Sequence, residues 1–96
     1  MPSSPLSDAE ITSRLQSLVA WRVDGGELVR TFSFADFRGA LGFVNQVGEL
    51  AEAAGHHPDI DIRYNRVRLA LVTHDSGGLT TKDFDLAGRI NASQRS

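Results

Sequence analysis

The sequence predicts an α+β fold, a four-stranded antiparallel sheet with three helices packed on one face. Two pairs of short apolar segments flank turn-forming residues, which is the pattern of two β-hairpins. Three segments with apolar residues at helical spacing precede, separate and follow the hairpins, so the element order is α-β-β-α-β-β-α. Each helix has a single apolar stripe, which is buried when the helix packs on a face of the sheet. The helices are therefore expected together on one side of the sheet.

Composition indicates one small domain and excludes several classes of site. The 96 residues suit a single domain over 1–96, with loose termini at 1–6 and 92–96. A net charge of −2 and a pI near 5.8 give no basic surface for direct binding of nucleic acid or of an anionic membrane. The sequence has no cysteine, which excludes disulfides, thiolate nucleophiles and Cys-ligated metals. No apolar run approaches the ~20 residues of a membrane span, and residues 1–6 lack the features of a signal peptide, so a cytoplasmic location is expected.

The first helix and the first hairpin are marked by local signals. Ser7 and Glu10 form a capping-box pattern followed by apolar residues at helical spacing, which predicts a helix over residues 8–19. Two apolar segments then flank Asp24-Gly25-Gly26-Glu27. Because glycine adopts the positive φ angles of tight hairpin turns, this segment predicts a β-hairpin.

A long second helix is predicted over residues 34–54, with Ser33 as its N-cap and Gly55 as a left-handed C-cap. Interior glycines at 39, 42 and 48 each cost about 1 kcal/mol relative to alanine. Two explanations stay open for these glycines. One is a close approach of another backbone, from the sheet or a neighbouring subunit, and the other is sequence drift that the fold tolerates. The apolar face of this helix is expected to consist of a main stripe, Phe37, Leu41, Val44, Gly48 and Ala51, broadened by Phe34, Phe43, Val47 and Leu50.

The second half of the chain repeats the pattern of hairpin and helix. Residues 59–64 and 67–73 alternate polar and apolar side chains around Asn65-Arg66, which predicts a hairpin with one buried face. Tyr64 is expected to fill the edge of the core. A second capping-box pattern, Thr80 with Asp83, precedes a last helix with an apolar face of Phe84, Leu86, Ala87 and Ile90.

Three histidines are the side chains best suited to proton transfer near neutral pH, because the unperturbed imidazole pKa is ~6.5. His56 and His57 lie between the long helix and the third strand, and His74 follows the fourth strand. A hairpin closed near Asn65 brings its two far ends together. The three imidazoles are therefore predicted to meet at one rim of the sheet, beside Glu52.

Two chemical uses of these imidazoles are open. One is a histidine-ligated metal that activates water, although adjacent side chains in extended backbone point to opposite sides. The other is metal-free acid–base catalysis, in which one imidazolium donates a proton and another imidazole accepts one; this suits a dehydration. Structural interpretations compete at two further positions, since Asp83 also caps a helix and Trp21 is either a core residue or the lip of a cleft.

The spacing of Glu52, His56-His57-Pro58, Tyr64, His74 and Asp83 resembles the signature of the pterin-4a-carbinolamine dehydratases, the family of the dimerization cofactors. Sequence around the second hairpin and the following turn is also similar to that family. The resemblance covers residues 6–90, nearly the whole chain. Seven positions at fixed spacing are far more specific than an isolated pair of histidines.

The resemblance implies a hydro-lyase that converts 4a-hydroxytetrahydropterin (4a-hydroxytetrahydrobiopterin) to quinonoid dihydropterin for recycling of tetrahydropterin, without a metal or an organic cofactor. It implies His56 and His74 as acid–base residues, and His57 as the catalytic-site residue that chiefly holds the substrate. The backbone around residues 71–73 is expected to bond the amide edge of the pterin. The implied substrate-binding residues are His57, Glu52, Trp21, Thr73 and Asp83.

The resemblance also bears on partners. Family members form dimers or tetramers, so a homodimer or homotetramer is expected. Animal members double as dimerization cofactors of a homeodomain transcription factor; this chain differs from them at Asp59-Ile60 and lacks their cysteine before the Gly-Leu turn. The alternative function is a non-catalytic module for interaction, assembly or transcriptional coactivation on the same fold.

Overall fold

The computed structural model of the protein describes residues 4–94. A short 3-10 turn at His74–Ser76 joins the last strand to the last helix. None of the described helices has the length and the apolar character required to cross a bilayer. The helices are α1 (Asp8–Leu15), α2 (Phe37–Ala54) and α3 (Thr81–Ser93), and the strands are β1 (Arg22–Asp24), β2 (Glu27–Ser33), β3 (Asp59–Arg63) and β4 (Arg66–Leu71).

Within residues 4–94, the strands form one antiparallel sheet in the order β1-β2-β4-β3. The two hairpins join through their second strands, since β2 pairs with β4 from Leu28 opposite Leu71 to Ser33 opposite Arg66. The predicted α+β fold and its element order are therefore confirmed. The core lies between one sheet face and the helices, and its strand residues include Leu28, Phe32, Val67, Leu69 and Leu71.

The first helix is shorter than its periodicity predicts. Ser7 and Glu10 make the expected capping box, but α1 ends at Leu15 and not at residue 19. The chain then turns: the Leu18 N–H donates to the Leu15 carbonyl at 3.1 Å, and Ala20 adopts a positive φ of 69°. These turns bury Leu18 in the core and leave Val19 69% exposed. Both side chains fit helical spacing, so the pattern alone did not separate them.

The second helix begins at Phe37, after an Asp36 N-cap whose side chain accepts from the Gly39 N–H. The prediction of a start at residue 34 with Ser33 as the cap was wrong. Asn65 explains the difference, because its backbone carbonyl accepts from the Phe34 N–H and its side-chain amide donates to the Phe34 carbonyl, both at 2.8 Å. Phe34 is thereby held outside the helix.

The buried face of α2 is rotated from the predicted stripe. Phe37 and Leu41 are 47% and 40% exposed, and the buried residues are Ala40, Phe43, Val47 and Ala51. A Cβ at Gly42 or Gly48 would meet nothing within 4 Å, whereas one at Gly39 would lie 3.2 Å from the Phe34 Cβ. Within residues 4–94, no backbone therefore approaches Gly42 or Gly48, and the near neighbour of Gly39 is a side chain; the approach of a neighbouring subunit stays a prediction.

The second hairpin turns one residue earlier than predicted. Tyr64 and Asn65 form the turn, and Tyr64 has a positive φ of 51°. Its side chain is 66% exposed, so the expectation that Tyr64 fills the edge of the core was wrong. This turn lies at one end of the hairpin, and the start of β3 and the end of β4 lie together at the other end.

The last helix matches its prediction, since Thr80 and Asp83 make the capping box and the four expected apolar residues are buried. It continues to Ser93, into the segment predicted to be loose. At the other terminus, the Leu6 N–H donates to the Leu79 carbonyl at 2.7 Å, and the Leu6 side chain packs on the core. Residues 1–3 and 95–96 lie outside the described residues.

Candidate active site

A cleft of about 290 Å³ lies where the C-terminal end of α2, the end of β4 and the start of α3 meet. All three histidines line it, together with Gly55, Val72 and Thr73. The convergence that hairpin geometry predicts is therefore observed. Two side chains not singled out from the sequence, Asp75 and Lys82, also line this cleft.

His56 is brought into the cleft by the end of α2. Gly55 adopts the left-handed conformation at φ 63°, and the His56 N–H closes the helix by donating to the Ala51 carbonyl at 3.1 Å. The imidazole is 12% exposed, and its Nε2 lies 2.5 Å from Asp83 Oδ1. One ring nitrogen is thus held by the protein, while the ring itself lines the cleft.

Asp83 is a fully buried carboxylate with donors on both oxygens. Its Oδ2 accepts from Thr73 Oγ1 at 2.8 Å and from the Thr80 N–H at 2.9 Å, and its Oδ1 faces His56. Such donors offset the high cost of burying a charged group. The two interpretations of Asp83 are both observed, since one carboxylate caps α3 and contacts an imidazole of the cleft.

His57 and Glu52 form an exposed pair at the mouth of the cleft. The His57 Nε2 hydrogen-bonds the Glu52 carboxylate, which lies near the last turn of α2. Both side chains are more than half exposed, so this pair adds little to stability. Glu52 itself does not line the cleft, and it reaches the site through His57.

His74 stands on the third side, at the start of the 3-10 turn. The turn is closed by a bridge between Thr73 and Gly78 and by Gly77 in the left-handed conformation at φ 75°. The exposed His74 imidazole makes no hydrogen bond to any residue from 4 to 94. It is therefore available to a molecule bound in the cleft.

Trp21 and Thr73, both predicted to bind substrate, differ in where the structure places them. Trp21 is buried in the core, where its ring packs edge-on against Phe32 and its Nε1 donates to Asn91 Oδ1 at 2.8 Å. It does not line the cleft, so the core interpretation of Trp21 applies. Thr73 lies at the cleft, but its hydroxyl is engaged with Asp83 and its N–H donates to the Gly78 carbonyl at 3.2 Å.

Chemically, the cleft combines three imidazoles with different anchoring: one held by a buried carboxylate, one paired with an exposed carboxylate, and one without a partner in the described region. Such a set can donate and accept protons around one small molecule. Within residues 4–94, no three side chains of the His, Asp and Glu types are grouped closely enough to hold a metal ion.

The sequence has clear relatives. Residues 4–93 match the profile of the family described as "Pterin 4 alpha carbinolamine dehydratase". A protein of Acidobacterium capsulatum named "Putative pterin-4-alpha-carbinolamine dehydratase" is 62% identical over 87 residues, which is 91% of this chain and 95% of the relative. A protein of Chloroflexus aurantiacus with the same name is 62% identical over 86 residues, which is 90% of this chain and 92% of that protein.

Solved structures share the fold. A transcriptional coactivator/pterin dehydratase from Brucella melitensis superposes with a TM-score of 0.87 at 38% identity, covering 93% of this chain and 97% of that one. A pterin dehydratase-like protein identified as a RuBisCO assembly factor in the alpha-carboxysome has a TM-score of 0.68 at 25% identity, over 80% and 93% of the two chains. With a profile match across nearly its whole length and relatives at 62% identity, the chain belongs to the pterin 4 alpha carbinolamine dehydratase family.

Proposed function

We propose that the protein is a hydro-lyase that dehydrates 4a-hydroxytetrahydropterin, with 4a-hydroxytetrahydrobiopterin as the probe substrate, to quinonoid dihydropterin. The observation that carries the proposal is the single cleft lined by three histidines in a chain of this family. The names of the relatives support the same reaction class. The product would be reduced and reused, so the reaction would support recycling of tetrahydropterin in the cytoplasm.

The chemistry needs one proton donor and one proton acceptor. The 4a carbon bears a hydroxyl and is bonded to N5, which carries a hydrogen. As the C4a–O bond breaks, an imidazolium protonates the departing oxygen to give water. An imidazole takes the proton from N5, and the electron pair of N5 forms the C4a=N5 double bond. General acid–base assistance of this kind contributes ~10²–10⁴-fold.

His56 and His74 are the proposed acid–base pair, because they line the cleft from α2 and from the 3-10 turn respectively. His57 is the proposed substrate-holding residue, and Glu52 orients it through their hydrogen bond. Since the Thr73 N–H and carbonyl are used within the 3-10 turn, the backbone at Val72 is the proposed partner for the amide edge of the pterin. The protons come from protein side chains, and we propose that no metal or organic cofactor takes part.

The proposal is tested by following quinonoid dihydropterin from freshly generated 4a-hydroxytetrahydropterin. The wild-type protein is expected to exceed the spontaneous rate, and His56→Ala and His74→Ala to lower kcat by ~10²-fold or more. Glu49→Gln, an exposed change on α2 outside the cleft, is the matched control and should keep the wild-type rate. A folded wild-type protein that only matches the spontaneous rate would refute the dehydratase proposal. Loss of rate after chelator treatment, restored by a metal, would refute the metal-free part.

The proposed assembly is a homodimer or homotetramer formed by the exposed side of α2. Phe37, Leu41 and Tyr64 surround an apolar depression, with Asp36 and Arg38 at its border. A second copy related by two-fold symmetry would cover these apolar side chains, and Asp36 of each copy could pair with Arg38 of the other. Sedimentation velocity tests this surface: Leu41→Glu is expected to lower the mass toward that of the monomer.

The second candidate function is a non-catalytic assembly module. It is favoured by the same exposed apolar side of α2 and by the solved relative identified as a RuBisCO assembly factor. Its distinguishing result is a wild-type rate equal to the spontaneous one together with an intact fold. A module of that kind has no use for an imidazole anchored by a buried carboxylate, which is why the dehydratase is the first proposal.

A further inference from the structure

The hydrogen bonds behind the cleft determine which way each proton points. Thr73 Oγ1 lies 2.8 Å from Asp83 Oδ2 and 2.8 Å from Thr80 Oγ1, and all three residues are buried. A hydroxyl has one proton to donate, and a carboxylate only accepts. Thr73 therefore donates to Asp83, and Thr80 donates to Thr73. The Lys82 N–H donates to Thr80 Oγ1 at 3.3 Å, so the series of donors runs from the start of α3 to Asp83.

Asp83 extends this series of hydrogen bonds to His56 through its second oxygen. Asp83 Oδ2 is occupied by the Thr73 hydroxyl and the Thr80 N–H, and Oδ1 lies 2.5 Å from His56 Nε2. An accepting Oδ1 requires the proton on Nε2, which leaves the lone pair of the neutral ring on Nδ1. Nδ1 has no hydrogen-bond partner among residues 4–94, and it is not one of their buried unpartnered atoms. It is therefore the ring nitrogen that stays accessible, on a residue that lines the cleft.

We propose that Thr73 is a positioning residue that acts through Asp83 to hold His56 in its Nε2–H tautomer, so that protons move between substrate and His56 at Nδ1. The tautomer follows from the hydrogen bonds alone, whereas proton transfer at Nδ1 rests on the proposed dehydratase function.

Thr73 is suited to this role because its own position is fixed. Its N–H donates to the Gly78 carbonyl at 3.2 Å, and its carbonyl accepts from the Ser76 N–H at 3.0 Å. Without the hydroxyl, Asp83 Oδ2 keeps only the Thr80 N–H, and the Thr80 hydroxyl loses its acceptor. The carboxylate is then held only by the Thr80 N–H and by His56, so its Oδ1 is placed less firmly against Nε2 and the preference for the proton on Nε2 weakens.

The tautomer is measured with histidine labelled at both ring nitrogens. Long-range ¹H–¹⁵N correlation spectra distinguish a protonated ring nitrogen from one that carries a lone pair. The spectra are recorded at a pH above the unperturbed imidazole pKa of ~6.5. The wild-type His56 signal is expected to show the proton on Nε2. A proton on Nδ1 in the wild type would overturn the proposal. This measurement needs neither a variant nor any enzyme activity.

The role of Thr73 is tested with three variants. Thr73→Val removes the hydroxyl at constant shape and is expected to give mixed His56 tautomers, a ~10-fold lower kcat and little change in KM. Thr73→Ser keeps the hydroxyl and should show the wild-type His56 tautomer and the wild-type kcat. Thr81→Val, an exposed change one residue past the Thr80 cap, is the matched control and should leave both unchanged.

The results separate this inference from the proposed function. If Thr73→Val keeps the wild-type tautomer and kcat, Thr73 has no positioning role and the proposal fails. If Thr73→Val does not fold, Thr73→Ser and the wild-type spectrum still decide it: a serine variant that folds but has lost the Nε2–H preference contradicts the role of the hydroxyl. If the expected tautomer is found in a protein without activity, the dehydratase proposal fails while the assignment of the proton to Nε2 is supported.

Discussion

Asp83 Oδ1 lies 2.5 Å from His56 Nε2, and the carboxylate is fully buried while the imidazole lines the cleft. Asp83 also caps α3, so the same group that starts a helix orients a ring that faces a ligand. Asp83 therefore contributes both to the fold, as the cap of α3, and to the site, as the partner of His56. A change at Asp83 is therefore expected to alter the chemistry more than the stability, provided that the cap is kept.

Asp83→Asn tests that expectation. The amide oxygen can still accept from Thr73 and from the Thr80 N–H, but the amide nitrogen then points at His56 Nε2 and donates to it. The ring is forced into the opposite tautomer, so kcat is expected to fall by ~10²–10⁴-fold with a much smaller change in KM. Steady-state kinetics check the prediction, with circular dichroism to establish that α3 is retained. Wild-type kcat in a folded Asp83→Asn protein would contradict the orienting role.

His57 and Glu52 should affect binding more than turnover. His57→Ala removes an exposed ring from the mouth of the cleft and is expected to raise KM ~10-fold, the equivalent of about one lost hydrogen bond to a bound ligand, with little loss of kcat. Glu52→Gln is expected to raise KM less than ~3-fold, because the pair is exposed. Glu49→Gln, in the same helix, is the control. Equal losses of kcat on mutating His56, His57 and His74 would contradict this division of roles.

The meeting of the three histidines was predictable from the sequence because it follows from topology. Two strands joined by a tight turn have adjacent far ends, and His57 and His74 lie just beyond those ends. The capping box of Asp83 was also visible, since its residue types and spacing are local. Both features follow from residues that are close in sequence, so they were predictable without knowledge of the rest of the molecule.

The start of α2 and the role of Thr73 were not predictable, because distant residues determine both. Asn65 holds Phe34 outside the helix from the turn of the second hairpin. Thr73 meets Asp83 only after the 3-10 turn has brought the end of β4 beside the start of α3. Read along the chain, Thr73 is another alternating strand residue, and its spacing from Asp83 matches no local hydrogen-bonding motif.

Gly55 and Gly48 are expected to respond to alanine with opposite signs. Gly55 has a φ of 63°, and a Cβ there meets nothing within 4 Å, so Gly55→Ala costs about 1–2 kcal/mol through backbone strain alone. Gly48 lies inside α2 with ordinary helical φ and equally open space, so Gly48→Ala is expected to stabilise by about 1 kcal/mol. Urea unfolding measures both. Destabilisation by Gly48→Ala would indicate that a neighbouring subunit approaches this face of α2 closely.

The capping box of α1 should make stability depend on acid. Hydrogen bonds from Ser7, first from its backbone N–H, lower the pKa of Glu10 below its usual value. Because the pKa in the folded chain is the lower one, the contribution is present above the usual glutamate range near ~4.3 and is lost as the pH falls through the folded-state value. Glu10→Gln is expected to reduce the pH dependence of unfolding in that window, which urea unfolding at a series of pH values measures. Identical acid profiles for wild type and Glu10→Gln would show that the carboxylate does not stabilise α1.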